Sequence, residues 1–249
     1  MILFNSIYSK KQIQTSLSLI VLIFITLGFL SSCTKNSLKG TEVTFSETEK
    51  DTPEQVTRML VTKKYLRIDE GEDNNDFLLY DRVNRVIYST NSTDKRTLIV
   101  RAQPLKRKSP IKLGNKVKKI HTDAPKIDGY KVQHLNLLTN NQICYDLFAA
   151  EGLMPQVVTA LKEYRIALSG EQAAIIDAIP KDMLLPCDLA NNIFMSTRHL
   201  EHGFPVRLQE TKGRFRELVS YKQDTDINEV LLKLPEGYSE FTAEDMRNR

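Results

Sequence analysis

Tryptophan is absent from this chain, histidine occurs four times and cysteine three times. Each scarcity removes a class of chemistry. No Cys-x-x-Cys pair occurs, so nothing in the cysteine spacing supports a zinc ribbon or a thioredoxin-like redox site. There is no Gly-x-Ser-x-Gly elbow and no glycine-rich phosphate loop. In "HLEH", His199 and His202 are three apart, not the four that bring two HExxH imidazoles to one helix face around a metal. Both are read as cations stabilising a helix C-terminus. His134 alternates with apolar neighbours and is expected to point outward. "DEGED" (69–73) reads as a turn rather than a paired acid and base. No enzyme active site, metal or cofactor is therefore expected.

Long apolar runs are scarce as well. The main one, residues 17–30, has about 14 residues, short of the roughly 20 a membrane-spanning helix needs. Lys10 and Lys11 precede it and small residues follow it, the layout of an export signal. Its last four residues, Leu30-Ser31-Ser32-Cys33, resemble the lipobox of bacterial lipoproteins. That resemblance implies a leader over 1–32, cleavage before Cys33, acyl chains on Cys33 and its new amino terminus, and a lipidated tether over 33–41. Several acyl chains hold a protein on a bilayer durably, where one binds only marginally. Thr34, not an aspartate, follows the cysteine, which in Gram-negative lipoproteins points to the outer membrane. The expected address is the bacterial cell envelope, facing the periplasm, with the membrane as partner through Cys33. An uncleaved anchor or an ordinary signal peptide is the alternative.

Beyond Cys33, 216 residues remain, with 33 basic and 31 acidic groups. That balance gives no reason to expect a nucleic-acid partner. Cys144 and Cys187 are the remaining thiols, in a compartment where disulfides persist. A bridge between them is favoured, worth about 2–4 kcal/mol through the unfolded chain; two buried free thiols are the alternative.

What is abundant is short alternation of apolar and polar residues, the period of a half-buried strand. Strands are expected over 42–48, 55–62, 65–69, 77–81, 85–90 and 96–101. A hairpin is expected over 129–138 and 142–148, turning at Thr139-Asn140-Asn141. Pro155 opens a helix carrying Val157, Val158, Leu161, Tyr164 and Leu168, with Ile166 off the stripe. A second helical stretch is expected from Gly170 to Pro180, and a third over 187–200, capped by Gly203. Strands follow over 205–211, 214–223 and 228–234. The fold class is α+β: a single domain over 42–249 built as a curled antiparallel sheet, half-barrel-like, with helices on its concave face.

"HGFPVRLQE" and "LLKLPEGYSEF" resemble segments of uncharacterised bacterial envelope proteins that carry a domain of unknown function. The matching residues are Gly203, Pro205, Pro235, Gly237 and Tyr238, with Gly129 and Tyr130 in "KIDGYKV". The architecture this implies is similar to the periplasmic lipoprotein-carrier fold. The resemblance implies no reaction.

One stretch lacks acids altogether. Between 101 and 119 lie Arg101, Lys106, Arg107, Lys108, Lys112, Lys116, Lys118 and Lys119. It reads either as a solvated connection between sheet segments, the favoured choice, or as a contact for anionic headgroups. The expected function is a non-catalytic binding module for a lipid or apolar ligand. The alternative is a structural or protein-interaction lipoprotein with an envelope protein as partner.

Overall fold

Among the described residues the alternation is realised as twelve strands in one open sheet. The computed structural model describes residues 36–71 and 76–247; the leader 1–32 and Cys33 lie outside the described residues. The strands are β1 (Ser37–Thr48), β2 (Gln55–Thr62), β3 (Tyr65–Asp69), β4 (Phe77–Asp81), β5 (Val86–Asn91), β6 (Arg96–Arg101), β7 (Asn115–Ile120), β8 (Val132–Thr139), β9 (Gln142–Ala150), β10 (Phe204–Glu210), β11 (Phe215–Asn228) and β12 (Ser239–Thr242). Their spatial order is β12-β6-β5-β4-β3-β2-β1-β11-β10-β9-β8-β7. Two meanders thus meet at the β1–β11 pair, which joins the first described strand to a late one.

Several expectations need correction here. Residues 37–41 were assigned to the tether, yet they begin β1: Ser37 pairs with Asn228, and Gly40 with Thr62. The sheet is mixed rather than purely antiparallel, because β12 runs parallel to β6 with Ser239 opposite Arg96. Its approach explains the direction. The strand expected over 228–234 does not form: β11 ends at Asn228 and Glu229–Leu232 is a 3₁₀ turn, with Asn228 accepting from the Val230 N–H at 3.1 Å. Leu231, Leu232 and Leu234 pack on Leu60, Phe77 and Leu79, carrying the chain across that face towards β6. A further correction is β7, which arises inside the basic connection. Its six residues are almost fully exposed, and it ends the sheet. Lysines on an edge strand oppose pairing with another chain.

Successive strand residues face opposite sides. Val43, Phe45, Met59, Val61, Leu66 and Tyr80 share one face with helix α1 (Pro155–Ala174) in the main core cluster. Pro155 occupies the first turn, as expected, and Ile166 stays about half exposed. No break occurs at Gly170. A Cβ there would lie 2.1 Å from the Gln103 carbonyl oxygen, so glycine lets the chain cross directly over the helix. That crossing segment, residues 102–114, works as a strap. Arg107 donates to the Ala173 carbonyl at 3.0 Å and pairs with Asp177 at 2.6 Å. Ile111 and Leu113 then pack with Ala173, Ile176, Leu189 and Ile193. The helix is held between sheet and strap.

The third helix expected over 187–200 is not continuous. It divides into α2 (Pro186–Asp188), a π turn (Leu189–Phe194) and a 3₁₀ turn (Arg198–Leu200). Arg165 of α1 accounts for part of this, donating to the Asn191 carbonyl at 2.6 Å and the Ser196 carbonyl at 3.3 Å. Those acceptors are carbonyls that a regular helix would turn inward along its own axis. Gly203 caps no helix; at φ 118° it enters β10 where a Cβ would sit 2.3 Å from the Ala150 oxygen. The disulfide is present: Cys144 of β9 joins Cys187 of α2, with Cα atoms 5.2 Å apart. The hairpin turn matches its residues, Asn140 and Asn141 both having positive φ, as a type I′ turn demands.

Candidate functional site

On the α1 side of the sheet, β1 presents Val43, Phe45 and Glu47, while β2 presents Met59, Thr57 and Gln55. The two strands pair Phe45 with Thr57 and Glu47 with Gln55. Both therefore turn from apolar to polar on their inner face as they near the turn between them. Beyond that point the inner face is not filled. A cavity of about 360 Å³ lies between sheet and helix. Its apolar wall comes from Phe45, Met59, Ile68, Leu78 and Leu161. Its polar wall comes from Glu47, Glu210, Arg214, Arg216, Arg165, Tyr145, Tyr164 and His199.

Strand order separates these walls. Leu78, Ile68 and Met59 stand on β4, β3 and β2, whereas Arg216, Glu210 and Tyr145 stand on β11, β10 and β9. The charged groups of the sheet therefore gather on β1 and on the β11–β9 side, although Gln55 and Thr57 of β2 and Pro205 and Leu208 of β10 also line the cavity. The charged groups have defined partners. Arg216 lies 2.7 Å from Glu47, and Arg214 is 2.9 Å from Glu49. Arg165 is different: its hydrogen bonds go to the Asn191 and Ser196 carbonyls and the Asn192 side-chain oxygen. Behind it, buried Arg198 likewise meets neutral acceptors, including Thr139 at 2.8 Å, Asn115 at 3.1 Å and Asn191 at 3.0 Å.

His199 sits between these arginines, 8% exposed, its ring 5.3 Å from that of Tyr145. Its Nδ1 is buried with no hydrogen-bond partner. Burial, then the positive charges of Arg165, Arg216, Arg198 and Lys162, push its pKa well below the ordinary histidine value. A group held neutral cannot serve as a cation at a helix end, so that reading of "HLEH" is overturned for His199. Burial likewise lowers His202. Tyr145 is pushed up to about 12 by burial, and burial also raises Tyr164. Beside Glu47 and Glu210, the polar wall near neutrality therefore offers protonated tyrosines, a neutral imidazole and guanidinium groups. Among the described residues no cluster of three or more His, Cys, Asp or Glu side chains is arranged to hold a metal.

The basic run does not meet this cavity. Arg101 ends β6, while Lys116, Lys118 and Lys119 lie on β7 at the far edge of the sheet. Lys106, Lys108 and Lys112 are exposed on the strap. Arg107 is committed to the C-terminal end of α1, where a cation meets the helix dipole. None of the eight lines the cavity. His134 was expected to face solvent; instead it stacks on Phe148 at 4.0 Å and meets Asp146 at 3.0 Å. As cavity residues, Arg165 and Tyr145 were missed, His199 was read only as a helix-end cation and Tyr164 only as part of a helix face. The one local signal was the polar turn of Glu47, Gln55 and Thr57 on faces that begin apolar.

No protein-family model and no curated protein matches the chain. Among solved structures, it is similar to an uncharacterised conserved protein from Thermus thermophilus at 8% identity, covering 82% of this chain and 90% of that one, with a TM-score of 0.42. PNGF-II matches at 11% identity over 84% of this chain and 32% of its own, with a TM-score of 0.42. A LolA superfamily protein, NE2245 from Nitrosomonas europaea, matches at 9% identity over 80% and 91%, with a TM-score of 0.27. Likenesses this weak establish neither a family nor a function.

Proposed function

We propose that this protein is a lipoprotein of the bacterial envelope, anchored through Cys33 to the outer membrane and facing the periplasm. Its domain is a non-catalytic binding module that holds a lipid or apolar ligand between α1 and the concave face of the sheet. The observation that carries this reading is the unfilled 360 Å³ cavity beneath α1. Ligand sites fall roughly between 300 and 1,000 Å³, a range that this volume enters at its lower end. Curvature is supported by Phe45 and Phe204, whose rings stack at 5.8 Å although β11 separates their strands. The address rests on the lipobox-like Leu30-Ser31-Ser32-Cys33. Lys106, Lys108 and Lys112, exposed on the strap, would add attraction to an anionic membrane surface, each worth about 1 kcal/mol near it.

The test is native mass spectrometry of the protein purified from its own membrane. A co-purifying single-chain lipid is expected, and Thr57→Phe, which fills the cavity, should lose it. A ligand-free spectrum for both proteins would refute the module. Cys33→Ala should abolish acylation and processing, and unchanged lipid labelling would remove the anchor. A second reading, a structural or protein-interaction lipoprotein, is favoured by the exposed apolar side chains of Ile175, Met183, Leu185 and Met195. Groups of this kind on a surface mark contacts with other molecules.

A further inference from the structure

The cavity has a chemically distinct end. Arg165 is donated from α1, and its hydrogen-bond partners are neutral oxygens. A guanidinium taken out of water normally meets a carboxylate or phosphate, because desolvation is then offset by charge. None of the ion pairs among the described residues includes Arg165. His199 beside it is buried and leaves Nδ1 without a partner, while Arg216 approaches from β11 on the opposite wall. The carboxylates at this end are Glu47, already paired with Arg216 at 2.7 Å, and Glu210. The far end, over β4 to β2, carries Leu78, Ile68 and Met59, with Thr57 and Gln55 bordering it on β2.

From this arrangement we infer that the cavity selects a single-chain amphiphile with an anionic head, a long-chain carboxylate. The head lies at Arg165, beside Arg216 and His199, and the tail lies over Met59, Ile68 and Leu78. This deepens the reading above and rests on the cavity being a ligand site. A volume near the lower end of the usual range for ligand sites suits one chain rather than two. A carboxylate supplies the anionic acceptor that this part-buried guanidinium lacks, through a charge-assisted bond to Nη1, since Nε and Nη2 already donate to Ser196, Asn191 and Asn192. Glu210 repels the same head and sets an upper limit on the affinity.

The experiment compares palmitate with methyl palmitate, equal in chain and different in charge, by calorimetry on residues 37–249. That segment forms one compact unit with its own core, and circular dichroism verifies each preparation. Palmitate should bind at least about tenfold more tightly than the ester, the scale of a charge-assisted contact. Arg165→Gln should erase that difference by weakening palmitate alone. Because Arg165 also holds the π turn, Glu210→Gln provides the independent arm: removing the facing carboxylate should tighten palmitate several-fold and leave the ester unchanged. Equal affinities for the two probes, or no response to Glu210→Gln, would overturn the headgroup assignment while leaving the apolar cavity standing. If neither probe binds a folded preparation, the cavity reading fails and this inference with it.

Discussion

Two arginine clusters, built around buried Arg67 and buried Arg198, lie on opposite faces of this sheet, and their partners differ. On the face under the C-terminal segment, Asp69 is fully enclosed between Arg58, which donates twice at 2.9 Å, and Arg67 at 2.5 Å. Arg67 also lies 3.8 Å over the Phe77 ring. Burial alone would raise the Asp69 pKa, but hydrogen bonds from Arg58, Arg67 and the Gly71 N–H hold it below the ordinary value. On the α1 face, Arg165 and Arg198 meet only neutral acceptors. The first cluster is complete in itself, which is what a structural element requires. The second holds positive charge against a cavity, as a site awaiting an anion would.

The sharpest way to break the contrast is to remove one closing group from each side. Asp69→Asn leaves two buried guanidinium groups without their carboxylate and should cost about 3–5 kcal/mol in urea unfolding. Arg198→Met removes donors from neutral oxygens and should cost less, about 1–3 kcal/mol. Equal losses would mean that the two clusters do not differ in kind.

The next effect concerns covalent closure. Cys187 lies immediately before the π turn whose Asn191 binds both Arg165 and Arg198. The Cys144–Cys187 bridge therefore does for the open cluster what Asp69 does for the closed one. Reduction, or Cys144→Ser with Cys187→Ser, should lower stability by about 2–4 kcal/mol. An unchanged unfolding midpoint would show that the π turn is held without it.

The smallest effect near neutrality is the pH dependence. His199 has a depressed pKa in the fold, so the unfolded chain takes up its proton first. The stability this group contributes is complete above about pH 6.5 and is lost as pH falls towards the folded value, at most about 1.4 kcal/mol per unit. Asp69 acts in the same direction but lower, its contribution disappearing as pH drops below about 3.9. His199→Phe should shrink the upper step, to which His202 also contributes, and leave the lower one. A flat wild-type profile between about pH 6.5 and 5 would contradict a neutral buried imidazole.

Much of the sheet was legible because its strands are local. The limits of β2, β3, β4 and β6 follow from apolar–polar alternation and flanking turn residues alone. β7 was hidden because an edge strand needs no apolar face, and "NKVKKI" carries the charges that an edge favours. The stretch 228–234 was misread because its leucines pack on the sheet surface without joining the ladder. The π turn was invisible because it depends on Arg165, which lies on another helix and well separated in sequence.

By itself, the sequence determined the strand period, the Asn-Asn hairpin, the proline-led helix and a cysteine pair available for bridging. Each rests on forces acting within a few residues or on compartment chemistry. Only the tertiary structure decided that the basic run divides between a strap over α1 and an edge strand, and that β12 returns parallel to β6. It alone placed Arg165 and His199 at one end of a cavity whose other end is Leu78, because burial and charge pairing are set by which strands become neighbours.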